Sequence, residues 1–251
     1  MSRMPFSLFK QGTSEYEVKD TEARANLKSI NTIKNRKFIF ISDSYGSMTN
    51  LFQDVVSMMG IESGNYTIQC ANAISFAGSN GHYIDRLIAG LGVLDGNSVT
   101  DIVVIGGLND SVNAYTDAGE LLAAMTAFNT YAKTNAPNAK IHLGYCGHVD
   151  ISNSNAGGRN WHKQYVTLER YINNAGALGW HYIDNIEYTL HGVKSLLAND
   201  GVHPSVEGAK LLSEAVVLGL VGGSYDCKYV SKTHSNTLNA SVNNASIDSL
   251  S

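Results

Sequence analysis

Apolar strand-like runs alternate with helical patterns along the chain from residue 37 onward. Five short runs rich in β-branched and aromatic residues predict strands: KFIFIS (37–42), YTIQC (66–70), DIVVIGG (101–107), KIHLGYC (140–146) and WHYID (180–184). Between them, apolar residues recur at helical spacing around 51–59, 83–88, 117–134 and 161–178. This alternation predicts βαβ units and a parallel sheet with helices on both faces.

The two ends of the chain lie outside this pattern. Residues 1–36 contain one predicted short helix, DTEARANLKSI (20–30), and residues 222–251 are rich in Ser and Asn, which is typical of a flexible or partner-bound extension. The last helix of the domain is predicted to begin at Pro204, because proline at a first helical position loses no hydrogen bond. We therefore predict an N-terminal extension, one α/β domain over 37–221 and a C-terminal extension.

Composition narrows the classes of partner and compartment. The chain has 251 residues, 43% hydrophobic and 16% charged, with a formal net charge of -4, which is typical of a soluble globular protein. No basic run predicts a nucleic-acid partner, and no apolar run approaches the ~20 residues of a membrane span. The N-terminus lacks the apolar core of a secretory signal. The compartment stays open, with an extracellular or virion-associated location among the alternatives.

Neither cysteines nor histidines follow a metal-binding pattern. The three cysteines are far apart and form no CxxC pair: Cys70, Cys146 and Cys227. Cys70 and Cys146 are expected to be buried as small apolar residues near strand ends. Three histidines fall in no metal-ligand spacing: His142, His181 and His191. We expect no metal site and no organic cofactor.

Polar or glycine-rich breaks follow the first three strands, at the edge where parallel sheets form their sites. Ser44 comes just after the first strand, Gly78 lies in the loop AGSNG after the second, and Asn109 follows the glycines of GGLND after the third. Taken singly, each residue type is common in turns and helix caps. Because the carboxyl ends of parallel strands share one edge, we expect these three residues to lie close together.

A fourth segment, DGVHP (200–204), supplies the remaining parts of an acyl-transfer site. It places Asp200 three residues before His203. A serine hydroxyl needs a base to remove its proton, and a histidine base needs a carboxylate to fix its tautomer. The Ser44 N–H, the Gly78 N–H and the Asn109 amide would then serve as donors to a tetrahedral oxyanion.

These four segments together resemble the SGNH (GDSL-type) hydrolases. SDSYG, the glycine of FAGSNG, GLND and DGVHP occur in the family's order, over roughly residues 37–220. The resemblance implies a flavodoxin-like three-layer α/β/α fold with a mainly parallel five-stranded sheet. It also implies hydrolysis of carboxylic esters, often O-acetyl groups on carbohydrates or lipid esters. By resemblance, the site residues are the nucleophile Ser44, the base His203, the orienting Asp200 and the oxyanion donors Gly78 and Asn109.

The sequence departs from the family pattern at two places. Ser42 stands where the family usually has glycine, which implies a backbone angle that a residue with Cβ tolerates. The second segment is the loosest match, so Gly81 or Ser79 is an alternative to Gly78 as oxyanion donor. The Asp43 carboxylate is expected to brace the turn and not to act as a second catalytic acid.

Substrate-pocket residues are predicted beside the nucleophile and in the Gly/Asn/Ser-rich loop after the fourth strand. They are Tyr45, His148, Arg159 and Trp161. For Trp161 two interpretations stay open: it stacks on a sugar ring, or it is a buried anchor at a helix start.

The preferred hypothesis is a cofactor-independent serine esterase acting on small acyl groups of a carbohydrate, since no apolar lid segment indicates a long-chain lipid. The alternative is a structural or carbohydrate-binding module of a larger assembly, with a vestigial or accessory esterase site. Residues 16–30 weakly resemble connector segments of phage tail proteins, and the terminal extensions could attach to a partner or to further copies. A flavodoxin-like cofactor binder is disfavoured, because no phosphate-binding glycine motif follows the first strand.

Overall fold

The computed structural model describes residues 36–221, with gaps at 79, 114–117, 148, 151–160, 185, 188 and 191–192. The predicted helix at 20–30 and the two terminal extensions therefore lie outside the described residues, and the domain boundaries stay predictions.

Five parallel strands form a single sheet in the order β2-β1-β3-β4-β5. Their bounds are β1 Phe38–Ser42, β2 Tyr66–Cys70, β3 Asp101–Gly107, β4 Lys140–Cys146 and β5 His181–Tyr182. β1 and β3 are buried along their whole length, as expected for strands covered on both faces. This order is that of the flavodoxin-like doubly wound folds. The predicted parallel α/β fold is confirmed.

Seven α-helices connect or flank the strands in the described part of the chain. They are α1 Ser44–Ser47, α2 Leu51–Met59, α3 Tyr83–Leu91, α4 Asp110–Asn113, α5 Ala118–Asn135, α6 Trp161–Leu178 and α7 Val206–Leu220. Short 3-10 turns lie at Gly96–Ser98 and Lys194–Leu196. Among these helices, none combines the length and apolar character needed to cross a membrane.

Two apolar clusters, one on each face of the sheet, make this a three-layer structure. Helices α2 and α7 pack on the face that carries Phe40 and Val103. Helices α3, α5 and α6 pack on the opposite face, against Ile41 and Val104. Neighbouring residues of one strand point to opposite faces, so β1 and β3 each feed both clusters. The side chains of β1 and β3 are thereby buried, and the carboxyl edge of the sheet is left for polar residues.

The start of α7 differs from the prediction. The helix begins at Val206, and Ser205 is its N-cap, with its hydroxyl accepting from the Gly208 N–H at 3.2 Å. Pro204 lies before the cap and forms an isolated antiparallel bridge with Leu197. A serine side chain at the N-cap accepts a hydrogen bond from a helical N–H that would otherwise lack a partner, whereas a proline at the first position only avoids leaving one N–H unpaired. The helix therefore starts after Ser205.

Two smaller predictions, on the cysteines and on the last strand, are only partly confirmed by the structure. Cys146 is buried as predicted, but Cys70 on the edge strand β2 is only half-buried; both are free thiols. Strand β5 has two residues, not the five predicted, since it pairs only with His142 and Leu143 of β4.

Candidate active site

The turn after β1 is built around the Asp43 carboxylate. Asp43 is the N-cap of α1, and its Oδ1 accepts from the Tyr45 N–H at 3.0 Å, as expected of a bracing side chain. Ser44 is the first helical residue and is partly exposed. A Cβ on Gly46 would lie 2.6 Å from the Ser42 Cβ, so only glycine lets this helix pack so closely on β1. The strand thus ends in a tight turn that presents Ser44 at the carboxyl edge.

Asp200 and His203 form a hydrogen-bonded pair within one turn. Asp200 Oδ2 lies 2.6 Å from His203 Nδ1, and its Oδ1 accepts from the backbone N–H groups of Val202 and His203 at 2.9 and 3.0 Å. Burial alone would raise the pKa of Asp200, but these hydrogen bonds outweigh it and hold the pKa below its usual value. An ionised carboxylate only accepts, so His203 Nδ1 donates to Asp200, and in the neutral ring Nε2 offers its lone pair.

A hydrogen bond from Tyr45 connects the Ser44 turn to the loop that carries Asp200 and His203. The Tyr45 hydroxyl donates to the Val202 carbonyl at 2.8 Å, and the Tyr45 ring centroid lies 6.1 Å from that of His203. Tyr45 itself is fully buried. This corrects the prediction that Tyr45 lines the substrate pocket: the Tyr45 side chain lies in the protein interior and supports the site through its bond to Val202.

Asn109 lies beside the Ser44 turn, after the carboxyl end of β3. It is half-buried, and its Nδ2 donates to the Ile74 carbonyl at 3.0 Å and lies 3.4 Å from Asp43 Oδ2. The contact with Asp43 is at the long limit of a hydrogen bond. Of these two contacts of the Asn109 amide, the one with the Ile74 carbonyl is the shorter and the one with Asp43 is the weaker.

The glycine-containing loop after β2 adopts left-handed backbone angles at both glycines. Gly78 has φ 108° and Gly81 has φ 98°. The Gly81 carbonyl accepts from the Ser75 N–H at 3.3 Å, which closes the loop. Ser79, the third candidate donor of this segment, lies outside the described residues.

A buried polar layer supports the site, and two of its members, Tyr83 and Asp110, were not expected from the sequence. The Tyr83 hydroxyl donates to Asp43 Oδ2 at 3.3 Å and accepts from the Gly107 N–H at 3.2 Å. Burial raises the pKa of Asp43 to about 6. Asp110 is also completely buried, and burial raises its pKa to about 7. Both belong to segments identified from the sequence, but their burial depends on contacts between distant parts of the chain.

An open cleft of about 580 Å³ lies next to the Ser44 turn and the start of α7. Polar side chains of the cleft include Ser47, Asn50, Gln53, Asp54 and Ser205. Met48 and Val206, both exposed, give it an apolar contribution. The lining includes Gly46 and Pro204, which are close in sequence to Ser44 and His203, but neither Ser44 nor His203 lines the cleft itself. Most of the side chains that line it can form hydrogen bonds.

The other predicted positions are only partly described. Trp161 is the first residue of α6, half-buried, with its ring centroid 6.3 Å from that of Tyr165. His148 and Arg159 lie outside the described residues. Within the described ranges, no group of three or more His, Cys, Asp or Glu side chains could hold a metal ion.

Two of the remaining histidines lie away from the carboxyl edge of the sheet. His142 Nε2 is 2.8 Å from Asp101 Oδ1 at the start of β3, and His142 Nδ1 is 2.9 Å from His181 Nδ1. His142 is buried and His181 exposed. His142 is thus a buried histidine with a hydrogen-bonding contact at each ring nitrogen, while His191 lies outside the described residues.

Comparison with known proteins finds relatives in structure alone: no protein-family model and no curated protein matches the sequence. A lipase/acylhydrolase from Enterococcus faecalis is 18% identical, with TM-score 0.54, over 74% of this chain and 96% of its own. A catalytic mutant of Axe2, an acetylxylan esterase from Geobacillus stearothermophilus, is 15% identical, with TM-score 0.54, over 76% and 96%. A candidate SGNH hydrolase from Slackia heliotrinireducens is 15% identical, with TM-score 0.54, over 75% and 99%. The chain has the SGNH hydrolase fold. At these identities the SGNH likeness concerns the fold, and chemistry must be argued from the site.

Proposed function

We propose that the protein is a serine esterase that hydrolyses carboxylic esters through an acyl-enzyme. The observation that carries the proposal is the Asp200–His203 pair, with 2.6 Å between Oδ2 and Nδ1, on a loop bonded to the Ser44 turn through Tyr45. Nucleophile, base and orienting carboxylate then have the roles of a serine hydrolase triad.

In the proposed reaction, His203 Nε2 removes the hydroxyl proton as Ser44 Oγ attacks the ester carbonyl carbon. The carbonyl electrons move to the oxygen, and the resulting tetrahedral oxyanion accepts hydrogen bonds. When the intermediate collapses, the C–O bond to the alcohol breaks and His203 donates its proton to that oxygen. A water molecule, deprotonated by the same nitrogen, then attacks the acyl carbon, and Ser44 regains its proton as the acid leaves.

The proposed oxyanion donors are the backbone N–H groups of Ser44 and Gly78 and the side chain of Asn109. The Asn109 amide donates to the Ile74 carbonyl at 3.0 Å, and its contact with Asp43 is longer, at 3.4 Å, so a developing oxyanion would replace the weaker of these two acceptors. A charged oxygen is the stronger acceptor, which favours the exchange in the transition state over the ground state.

For the substrate, we propose a small acyl group, such as acetyl, on a carbohydrate. The support is the cleft beside the Ser44 turn, where amide, hydroxyl and carboxylate side chains can bind an alcohol rich in hydroxyls. A structural neighbour of the same fold is an acetylxylan esterase. Replacing Gln53 by Ala is expected to lower kcat/KM for acetylated xylo-oligosaccharides relative to kcat/KM for p-nitrophenyl acetate. An unchanged ratio would remove the cleft from the proposal.

The proposed activity is tested with p-nitrophenyl acetate and purified variants. Ser44→Ala is expected to abolish turnover with an unchanged circular dichroism spectrum, and Ser57→Ala, an exposed serine of α2, serves as the matched control. Equal turnover in wild type and Ser44→Ala would leave only the binding-module alternative.

A further inference from the structure

Asp110 holds the backbone of the loop that precedes Gly78. Its Oδ1 accepts from the Ala77 N–H at 2.9 Å, and its Oδ2 accepts from the Phe76 N–H at 3.1 Å. The carboxylate is completely buried, and the Tyr171 hydroxyl donates to Oδ2 from α6. Two consecutive backbone N–H groups from a loop more than thirty residues away thus point at one side chain.

The next peptide unit along the loop carries the Gly78 N–H, and its orientation is fixed as well. The Ser75 hydroxyl donates to the Ala77 carbonyl, which belongs to the same planar unit as the Gly78 N–H. Because carbonyl and N–H point in opposite directions across a trans peptide, fixing the carbonyl aims the N–H away from Ser75. The left-handed angle at Gly78, φ 108°, then turns the chain immediately after this unit.

We propose that Asp110 is a positioning residue for the oxyanion site: it fixes the backbone of residues 76–78 so that the Gly78 N–H acts together with the side chain of the adjacent Asn109. The inference rests on the proposed esterase function. Asp110 directly follows Asn109 in the chain and also holds the loop that contains Gly78. The two proposed donors lie in the loops after β2 and β3, and both are therefore positioned by the buried residue Asp110. Asp110 does not contact substrate in this proposal.

A positioning role predicts a particular kinetic signature. Misplacing one donor weakens hydrogen bonding to the oxyanion, which exists only in the transition state, and leaves substrate binding nearly unchanged. Loss of a single oxyanion donor costs about 10²–10³ in rate, so partial displacement should cost about tenfold or more. Asp110→Asn keeps one acceptor oxygen and Asp110→Ala keeps none, so the loss of kcat should be larger for Ala.

The matched control is Tyr171→Phe, which removes one hydrogen bond to the same carboxylate but leaves both backbone bonds in place. Tyr171→Phe is expected to lower Tm because it removes a buried hydrogen bond, while its kcat on p-nitrophenyl acetate stays within about threefold of wild type. In Asp110→Asn, kcat should fall about tenfold or more with KM changed less than about threefold. Equal kcat in wild type and a folded Asp110→Asn, or equal losses of kcat in Asp110→Asn and Tyr171→Phe, would overturn the positioning role.

A measurement on the wild type covers the case in which the Asp110 variants do not fold. The amides of Phe76 and Ala77 should exchange with deuterium as slowly as amides in the interior of β3, because both are bonded to a buried carboxylate. Fast exchange at both amides would also overturn the inference. Absence of Ser44-dependent turnover in the wild type is a different failure, which removes the proposed function itself.

Discussion

Replacing Asp43 by Asn is expected to reduce the pH dependence of stability. Burial raises the pKa of Asp43 to about 6 in the folded protein, above its usual value of 3.8. The folded state therefore binds this proton more tightly than the unfolded state does. The stability associated with protonated Asp43 is fully present below pH 3.8 and is lost as the pH rises to about 6. An asparagine side chain has no such titration, and its amide oxygen can still cap α1.

The expected magnitude follows from the two pKa values. At about 1.4 kcal/mol per unit, the full penalty for ionising Asp43 is about 3 kcal/mol. Between about pH 4.5 and about pH 7.5, linkage gives a loss of about 2 kcal/mol in the free energy of unfolding from this group alone. The charge on Asp43 also raises the pKa of Asp110, so removing that charge changes the pH dependence in the same direction.

The assay is urea unfolding followed by tryptophan fluorescence, for wild type and Asp43→Asn, at the two pH values. For each protein, the decrease in the free energy of unfolding from the lower to the higher pH is measured. The quantity compared is the difference between these two decreases. Titrations of groups that Asp43 does not influence cancel in this difference, whereas the coupled titration of Asp110 adds to it in the same direction. The control is Glu62→Gln, which changes an exposed carboxyl and should give a difference near zero. A difference near zero for Asp43→Asn, or one of opposite sign, would refute the reasoning.

Three further perturbations have defined outcomes. Although His181 is largely exposed, partial burial of its ring, together with the charge of the neighbouring histidine, lowers its pKa. The folded protein therefore binds this proton less tightly than the unfolded chain does, and stability is lost as the pH falls below the unfolded value of 6.5. Accordingly, when the pH is lowered from about pH 7.5 to about pH 5, the Tm of His181→Gln should fall less than that of wild type. Gly106→Ala would place a Cβ 2.1 Å from the Tyr83 hydroxyl, and urea unfolding should show a loss of about 1–3 kcal/mol. Tyr45→Phe removes the buried bond to the Val202 carbonyl and should cost about 1–3 kcal/mol in the same assay, with a lower kcat; an unchanged kcat would separate this bond from the site.

The strands were predictable where the sequence alone determines burial. β3, Asp101–Gly107, has the predicted bounds, because a continuous apolar run is ended by two glycines. β5 is shorter than predicted, since its length depends on how far it can pair with β4, which is a property of two segments. Pro204 shows a competition between two local rules, in which the stronger cap, Ser205, sets the start of the helix.

Within the candidate site, local contacts were predictable and long-range contacts were not. The spacing of Asp200 and His203 allows their contact inside one turn, and that contact is present. The bond from Tyr45 to Val202 joins residues 157 positions apart, so the pattern around Tyr45 suggested exposure at a pocket where the structure has burial. Asp110 was part of a recognised segment, but its role depends on a loop 33 residues earlier in the chain.

The buried carboxylates of Asp43 and Asp110 lower stability when they are ionised, but replacing them by apolar side chains would have a cost of its own. An apolar side chain at Asp43 or Asp110 would remove the penalty of ionising a buried group. It would also leave the N–H groups of Tyr45, Phe76 and Ala77 without their acceptor, and a buried donor without a partner costs about 1–3 kcal/mol. Those N–H groups fix the two turns that bring Ser44 and Gly78 to the edge of the sheet. The atoms that lower stability at neutral pH are thus the atoms that set the geometry of the candidate site.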